Sequence, residues 1–257
     1  MQFQVMFKKE LLENWRNFKL IWVPIVFIIL AIMDPITTYY LPRILETVGG
    51  LPEGAVFSIP MPSPAEAVGM SYAQIGSIGV LIVAVISMGT IAGEIRSGVY
   101  EMILSKPVSY ANYIMSKFSA YSLIILLSLI VSMIASWYYV SLLFGDIAFS
   151  TVIVSAVFYT FYLLFILSIT VVLNTLLKSP GLVAFLTIII VIALNIITDI
   201  FSHVLTWSPL MVSNHTLAFL YDGSLTSELI GSVSLAIIFT ALLLVVATMI
   251  LQRRAFD

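Results

Sequence analysis

The residues able to do chemistry are few and scattered. Cysteine is absent, and histidine occurs only at His203 and His215. Disulfides, thiolate metal sites and thiol nucleophiles are therefore excluded. The two histidines stand twelve residues apart with no acidic neighbour in register, a poor set for a metal, and none is expected. No Gly-x-x-x-x-Gly-Lys-Ser/Thr run occurs, so the chain carries no phosphate-cradling loop of its own. Two carboxylates, Asp34 and Asp199, fall within long apolar runs. A carboxylate at membrane depth is unfavourable and often functional, and either could attract a cationic or amphiphilic substrate. Each also has a plainer reading. Asp34 ahead of Pro35 fits a helix N-cap with proline at the first helical position, and Asp199 fits a helix end at a wet interface. Asn195, one turn before Asp199, shares its face and joins the candidate substrate path. Interhelical hydrogen bonding is the competing role for Asn195 and for Asn174. An intramembrane hydrolase would need paired carboxylates or His/Glu clusters at depth. Asp34 and Asp199 are one per helix, with no histidine beside them.

The richest polar stretch runs from Glu94 to Lys117 and contains Glu94, Arg96, Gly98, Glu101, Leu104, Lys106 and Pro107. Gly98 can end the preceding helix. Val99 to Leu104 can form a short helix showing Val99, Met102 and Ile103 on one side. Pro107 ends it, because proline disfavours helix in the residue before it, and Ser109 can cap the next helix. The product is a short transverse helix between two long ones, able to take force from a soluble partner. Glu94 and Arg96 could form ion pairs within it or with that partner. The plain alternative is a solvated helix end, where exposed pairs contribute ~0–1 kcal/mol.

The elements that position these residues are membrane helices. Hydrophobic residues make up 61% of the 257 and charged ones 9%, against about 25% charged in an ordinary soluble domain. Lipid must solvate much of the surface. Six apolar stretches are long enough to span: 20–41, interrupted by Asp34-Pro35, then 73–93, 114–144, 151–177, 181–200 and 229–251. They do not alternate as barrel strands would, so the fold is all-α and polytopic, in one domain. Ahead of them, residues 1–19 place Phe3, Phe7, Leu11, Trp15 and Phe18 at helical spacing, which predicts an amphipathic helix in the membrane interface. Ten of the eleven basic residues fall on one side and only Arg43 on the other; Glu46, Glu53, Glu66, Asp146, Asp222 and Glu228 line that other side. The positive-inside rule puts both ends in the cytoplasm of a bacterial cell and the 202–228 loop outside. The N-terminal apolar run lacks a small-x-small cleavage site and is expected to stay as an anchor. Membrane lipids are the expected surroundings, and no nucleic-acid partner is implied.

At Glu94, Gly98, Leu104-Ser105-Lys106-Pro107-Val108-Ser109 and Lys117, the chain resembles the ABC-2 type permeases of ATP-binding-cassette transporters, with an exporter-like (ABCG-type) transmembrane fold. Their usual pattern has threonine where Val99 stands and arginine where Tyr110 stands. The likeness extends to the amphipathic start, the six spans, the long loop before the last span and the basic Arg253-Arg254 end. It implies a transport subunit, not an enzyme, paired with a second permease subunit, identical or paralogous. Two ATPase subunits beneath would bind ATP and Mg and push on the Glu94–Pro107 element, leaving no cofactor on this chain. Export of a small amphiphile, peptide, drug or ion is the implied activity. Its alternative is a sensory, signalling or scaffold subunit without net transport. A proton-coupled carrier would show internal repeats or broken helices, and only Pro24 and Asp34-Pro35 interrupt a span.

Overall fold

The computed structural model of the chain describes residues 2–48, 60–104 and 108–254. Ser105, Lys106 and Pro107 lie outside the described residues, and of Glu101 and Leu104 only the backbone is described. The elements are α1 (Gln2–Arg16), α2 (Lys19–Val48), α3 (Pro64–Gln74), a π-helical turn (Ile75–Gly79), α4 (Val80–Ser87), α5 (Ala92–Arg96), α6 (Val99–Leu104), α7 (Tyr110–Leu143), α8 (Phe149–Leu176), α9 (Pro180–Ile200), a 3₁₀ turn (Pro209–Met211), α10 (Val212–Asp222) and α11 (Ser227–Arg254). No strand occurs among the described residues. Six helical stretches are long and apolar enough to cross a bilayer: α2, the α3-to-α5 series, α7, α8, α9 and α11. The chain is a multi-pass, all-α membrane protein. α8 is the most enclosed span, with 67% of its apolar window buried, against 22% for α11.

Two local rules decide where these helices run. α2 passes straight through Asp34-Pro35, with Pro24, Pro35 and Pro42 all inside it. Asp34 is therefore not an N-cap. Pro35 has no N–H to give the carbonyl four residues back, which is that of Ala31. The Ser71 hydroxyl of α3 donates to that same Ala31 oxygen at 2.5 Å, and Ser136 of α7 meets Ser71 at 2.8 Å. A neighbouring hydroxyl takes over the missing backbone donor, which is how membrane helices tolerate proline. The second spanning stretch starts at Pro64, nine residues before the apolar window that begins at Ala73. Ser63 and Glu66 form a reciprocal capping box there, with Pro64 in the first turn, a start signal that the hydropathy window passes over.

α1 ends in a tight bend at Asn17-Phe18, where Phe18 takes a positive φ of 57°. The face it packs against the bundle is polar. Glu10 and Asn14 are its buried residues, while Val5, Leu12, Trp15 and Phe18 point outward.

Candidate functional site

Glu10, placed inward by α1, meets two residues far away in sequence. The Lys117 Nζ donates to Glu10 Oε1 at 2.9 Å and pairs with Glu94 Oε1 at 2.8 Å. Lys117 is 1% exposed and sits two turns into α7, within the helix rather than at its start. Lys9 bridges Glu10 at 2.9 Å, Glu13 at 3.0 Å and Glu94 at 2.8 Å. The Tyr113 hydroxyl, also on α7, donates to Glu94 Oε2. The Lys117 ammonium lies 5.0 Å from the centre of the Tyr113 ring. Nearby, Lys19 donates to the Ile86 carbonyl at 2.9 Å and to the Tyr121 hydroxyl at 2.8 Å. Carboxylate oxygens of Glu10, Glu13 and Glu94 fall within 4.8 Å of one another, a spacing that would suit a metal ion. The ammonium groups of Lys9 and Lys117 bind these carboxylates instead. Burial alone would lower the pKa of Lys9, but the Glu94 and Glu10 carboxylates outweigh it and hold the ammonium above its ordinary range.

Glu94 thus points into the bundle and ties α5 to α1 and α7. Arg96, two residues on, is exposed and takes no part in the ion pairs found among the described residues. Gly98 turns the chain with φ +74°, a conformation that disfavours any side chain. α6 follows, burying Tyr100 edge-on against Tyr113 at 6.1 Å while Met102 is 72% exposed and Val99 39%. Of the α6 side chains described, Tyr100 is thus buried against Tyr113 of α7, and Val99 and Met102 are exposed.

The second spanning helix breaks between α4 and α5, and Asn174 of α8 fills the break. Its Oδ1 accepts from the Ile91 and Ala92 N–H groups at 3.2 and 3.1 Å. Its Nδ2 donates to the Ser87 and Thr170 carbonyls at 3.0 and 2.9 Å. One fully buried amide satisfies the end of α4 and the start of α5 together.

At the opposite, acidic end, Asp34 accepts from Gln74 Nε2 at 2.8 Å. Asn195 donates to its own helix at the Val191 carbonyl, 2.9 Å. Asp199 itself is exposed. Asp34 is half-buried on α2, and no hydrogen bond found among the described residues joins it to Asn195 or Asp199. Asn195 lines a cavity of about 310 Å³ with Tyr72, Gly76, Tyr159 and Tyr162. The π-helical turn contributes Gly76 to its wall, and the Tyr159 hydroxyl donates to the Tyr72 carbonyl at 3.2 Å. Bulges of this kind are frequent at functional sites.

Sequence reasoning singled out Glu94 and Lys117 but not Lys9, Glu10 or Tyr113, which complete the network. Glu10 and Asn14 share a helix face at a spacing of four, and that polar face was the available signal.

Residues 4–253 match the model of a family described as ABC-2 family transporter protein. The chain is also 35% identical over 202 residues to an uncharacterized transmembrane protein, YxlG, of Bacillus subtilis, covering 79% of this chain and 78% of the relative.

Proposed function

The chain belongs to the ABC-2 family of transporter proteins, and on that premise we propose that it is the membrane permease subunit of an ATP-driven exporter, worked by a separate ATPase. The basic end is then cytoplasmic, in a bacterial inner membrane, with both termini inside. The observation that carries this reading is α6. It is a short helix at the basic end with Met102 and Val99 exposed to the surroundings and Tyr100 packed on Tyr113. The exposed side, with Arg96, receives the ATPase. ATP and Mg bind to that partner, present in two copies beneath a pair of permease subunits, identical or paralogous.

Glu94 serves as a positioning residue. Its links to Lys9 and Lys117 make α1, α5 and α7 move together when α6 is pushed. Asn174 passes the same displacement to α8 through its bonds across the break. Glu101, Leu104, Lys106 and Pro107 belong to the same lever by family resemblance. Asp34, Asn195 and Asp199 border the substrate path on the acidic side.

Purification of the tagged chain from its native membranes tests the assignment. A Walker-motif ATPase should accompany it, and reconstituted vesicles should move substrate only with ATP. A purified chain that neither holds nor stimulates such an ATPase would remove the reading.

A further inference from the structure

A crevice of about 390 Å³ lies at the basic end, where α1 meets α7 and α8. α1 contributes Phe3 and Phe7 to its walls, α7 contributes Phe118, Leu123 and Leu126, and α8 contributes Leu164. We propose that this crevice and the outward face of α1 bind one anionic phospholipid, with an acyl chain in the crevice and the phosphate beside Lys8. The proposal needs no ATPase and stands whatever the chain transports.

Depth assigns the crevice to the bilayer. α1 leads into the first span through the bend at Asn17-Phe18, which holds it at the membrane surface. From Met115 to Leu126, both on the crevice wall, α7 advances roughly 16 Å. That is about half the hydrocarbon thickness, so the crevice reaches from the surface toward the middle of the bilayer. Met115 is exposed, which leaves the crevice open to the side. Its interior suits hydrocarbon. The Ser122 hydroxyl donates to the Phe118 carbonyl at 2.8 Å and the Thr160 hydroxyl to the Ala156 carbonyl at 2.9 Å, so both are committed to their own helices. No ionisable side chain is among the lining residues, and the Phe3 and Phe7 rings stack with centres 5.9 Å apart.

Charge selects the lipid. Both carboxylates of α1 are taken, Glu10 by Lys9 and Lys117, and Glu13 by Lys9. Lys8 and Arg16 are exposed and enter no ion pair among the described residues. They share the outward face with Val5, Leu12 and Trp15. A helical step of roughly 100° puts all five within about a third of the circumference. Apolar groups and unopposed cations on one face match the acyl and phosphate levels of an anionic leaflet. Lys8 directly follows Phe7, which lines the crevice, and it is the cation set for the headgroup. Arg16, roughly 12 Å further along the helix, adds only to the surrounding field.

The test titrates the full chain, in mild detergent, with dioleoylphosphatidylglycerol or dioleoylphosphatidylcholine and resolves the bound lipids by native mass spectrometry. The first phosphatidylglycerol should bind about fivefold or more tighter than phosphatidylcholine. Lys8→Gln should cut that preference about threefold or more and leave phosphatidylcholine binding unchanged. Arg16→Gln should cut it less. Ser119→Leu, which fills the crevice, should weaken both lipids about threefold or more. Lys8 is exposed, so its variant reads the headgroup without disturbing the fold. Equal affinity for the two lipids, a preference untouched by Lys8→Gln, or binding untouched by Ser119→Leu would each overturn the proposal. Dimers that Ser119→Leu dissociates, with lipid binding unchanged, would give the crevice to a second copy of the chain and overturn it as well.

Discussion

Lys117 and Glu94 face each other at 2.8 Å, joining the first turns of a long membrane helix to a five-residue helix at the end of the preceding span. Around them, Glu10 and Lys9 bring in α1. Three elements distant in sequence are locked by charges that are largely withdrawn from water. Such a lock is unforgiving. Removing one partner strands the others, whereas removing an opposed pair together is tolerated much better.

Lys117→Met should therefore destabilise the chain by about 3 kcal/mol or more, because Glu10 and Glu94 lose their buried counter-ion. Adding Glu94→Gln to Lys117→Met should return a sizeable part of that loss. Thermal unfolding of the full chain in detergent measures both, and equal melting of single and double variants would contradict the account.

Asn174→Ala removes a side chain that makes four hydrogen bonds. A buried unsatisfied group is worth about 1–3 kcal/mol, so several left together should fray the break between α4 and α5. Hydrogen exchange over residues 87–96 should accelerate in this variant while that of α11 stays unchanged. Asn174→Asp keeps the acceptor for Ile91 and Ala92 and should show a smaller increase.

The Lys9 ammonium sits above its ordinary range because the Glu94 and Glu10 carboxylates outweigh its burial. The folded chain then holds this proton more tightly than the unfolded one. Its contribution is complete below the unfolded value, about pH 10.4, and fades only as pH rises through the higher folded value. Docking of α1, followed by Trp15 fluorescence, should not change between about pH 7 and about pH 9.5. A titration in that window would place Lys9 outside the network.

Much of the architecture was legible in the sequence because hydropathy reports lipid contact directly. α8, α9 and α11 begin and end within about two or three residues of their apolar runs, the usual fraying of helix boundaries. What escaped was decided by partners that hydropathy cannot see. Asp34-Pro35 reads as a helix start until Ser71 supplies a hydrogen bond to Ala31. Lys117 reads as a lysine at the wet start of a span until two carboxylates make its burial tolerable. The apolar stripe of α1 was readable, but its direction was not, since only the pairing of Glu10 explains why the polar face turns inward. The tyrosine chamber has no local signature: Tyr72 and Tyr159 are 87 residues apart and meet only when the spans pack.

The absence of cysteine makes single-cysteine variants clean reporters. Asp199→Cys, at an exposed position, should react with a membrane-impermeant maleimide added outside intact cells. Asp34→Cys, half-buried beside Gln74, should react more slowly. Complete protection of both would take these positions out of an outward-facing path.

The central claim is that α6 receives the motor, and crosslinking from Met102 tests it most directly. With a photoreactive thiol reagent on Met102→Cys, in membranes containing the complete transporter, the account predicts a covalent product with the ATPase subunit. It predicts none from Trp207→Cys on the acidic side. No ATPase product from Met102→Cys, or labelling of that position from outside the cell, would contradict it.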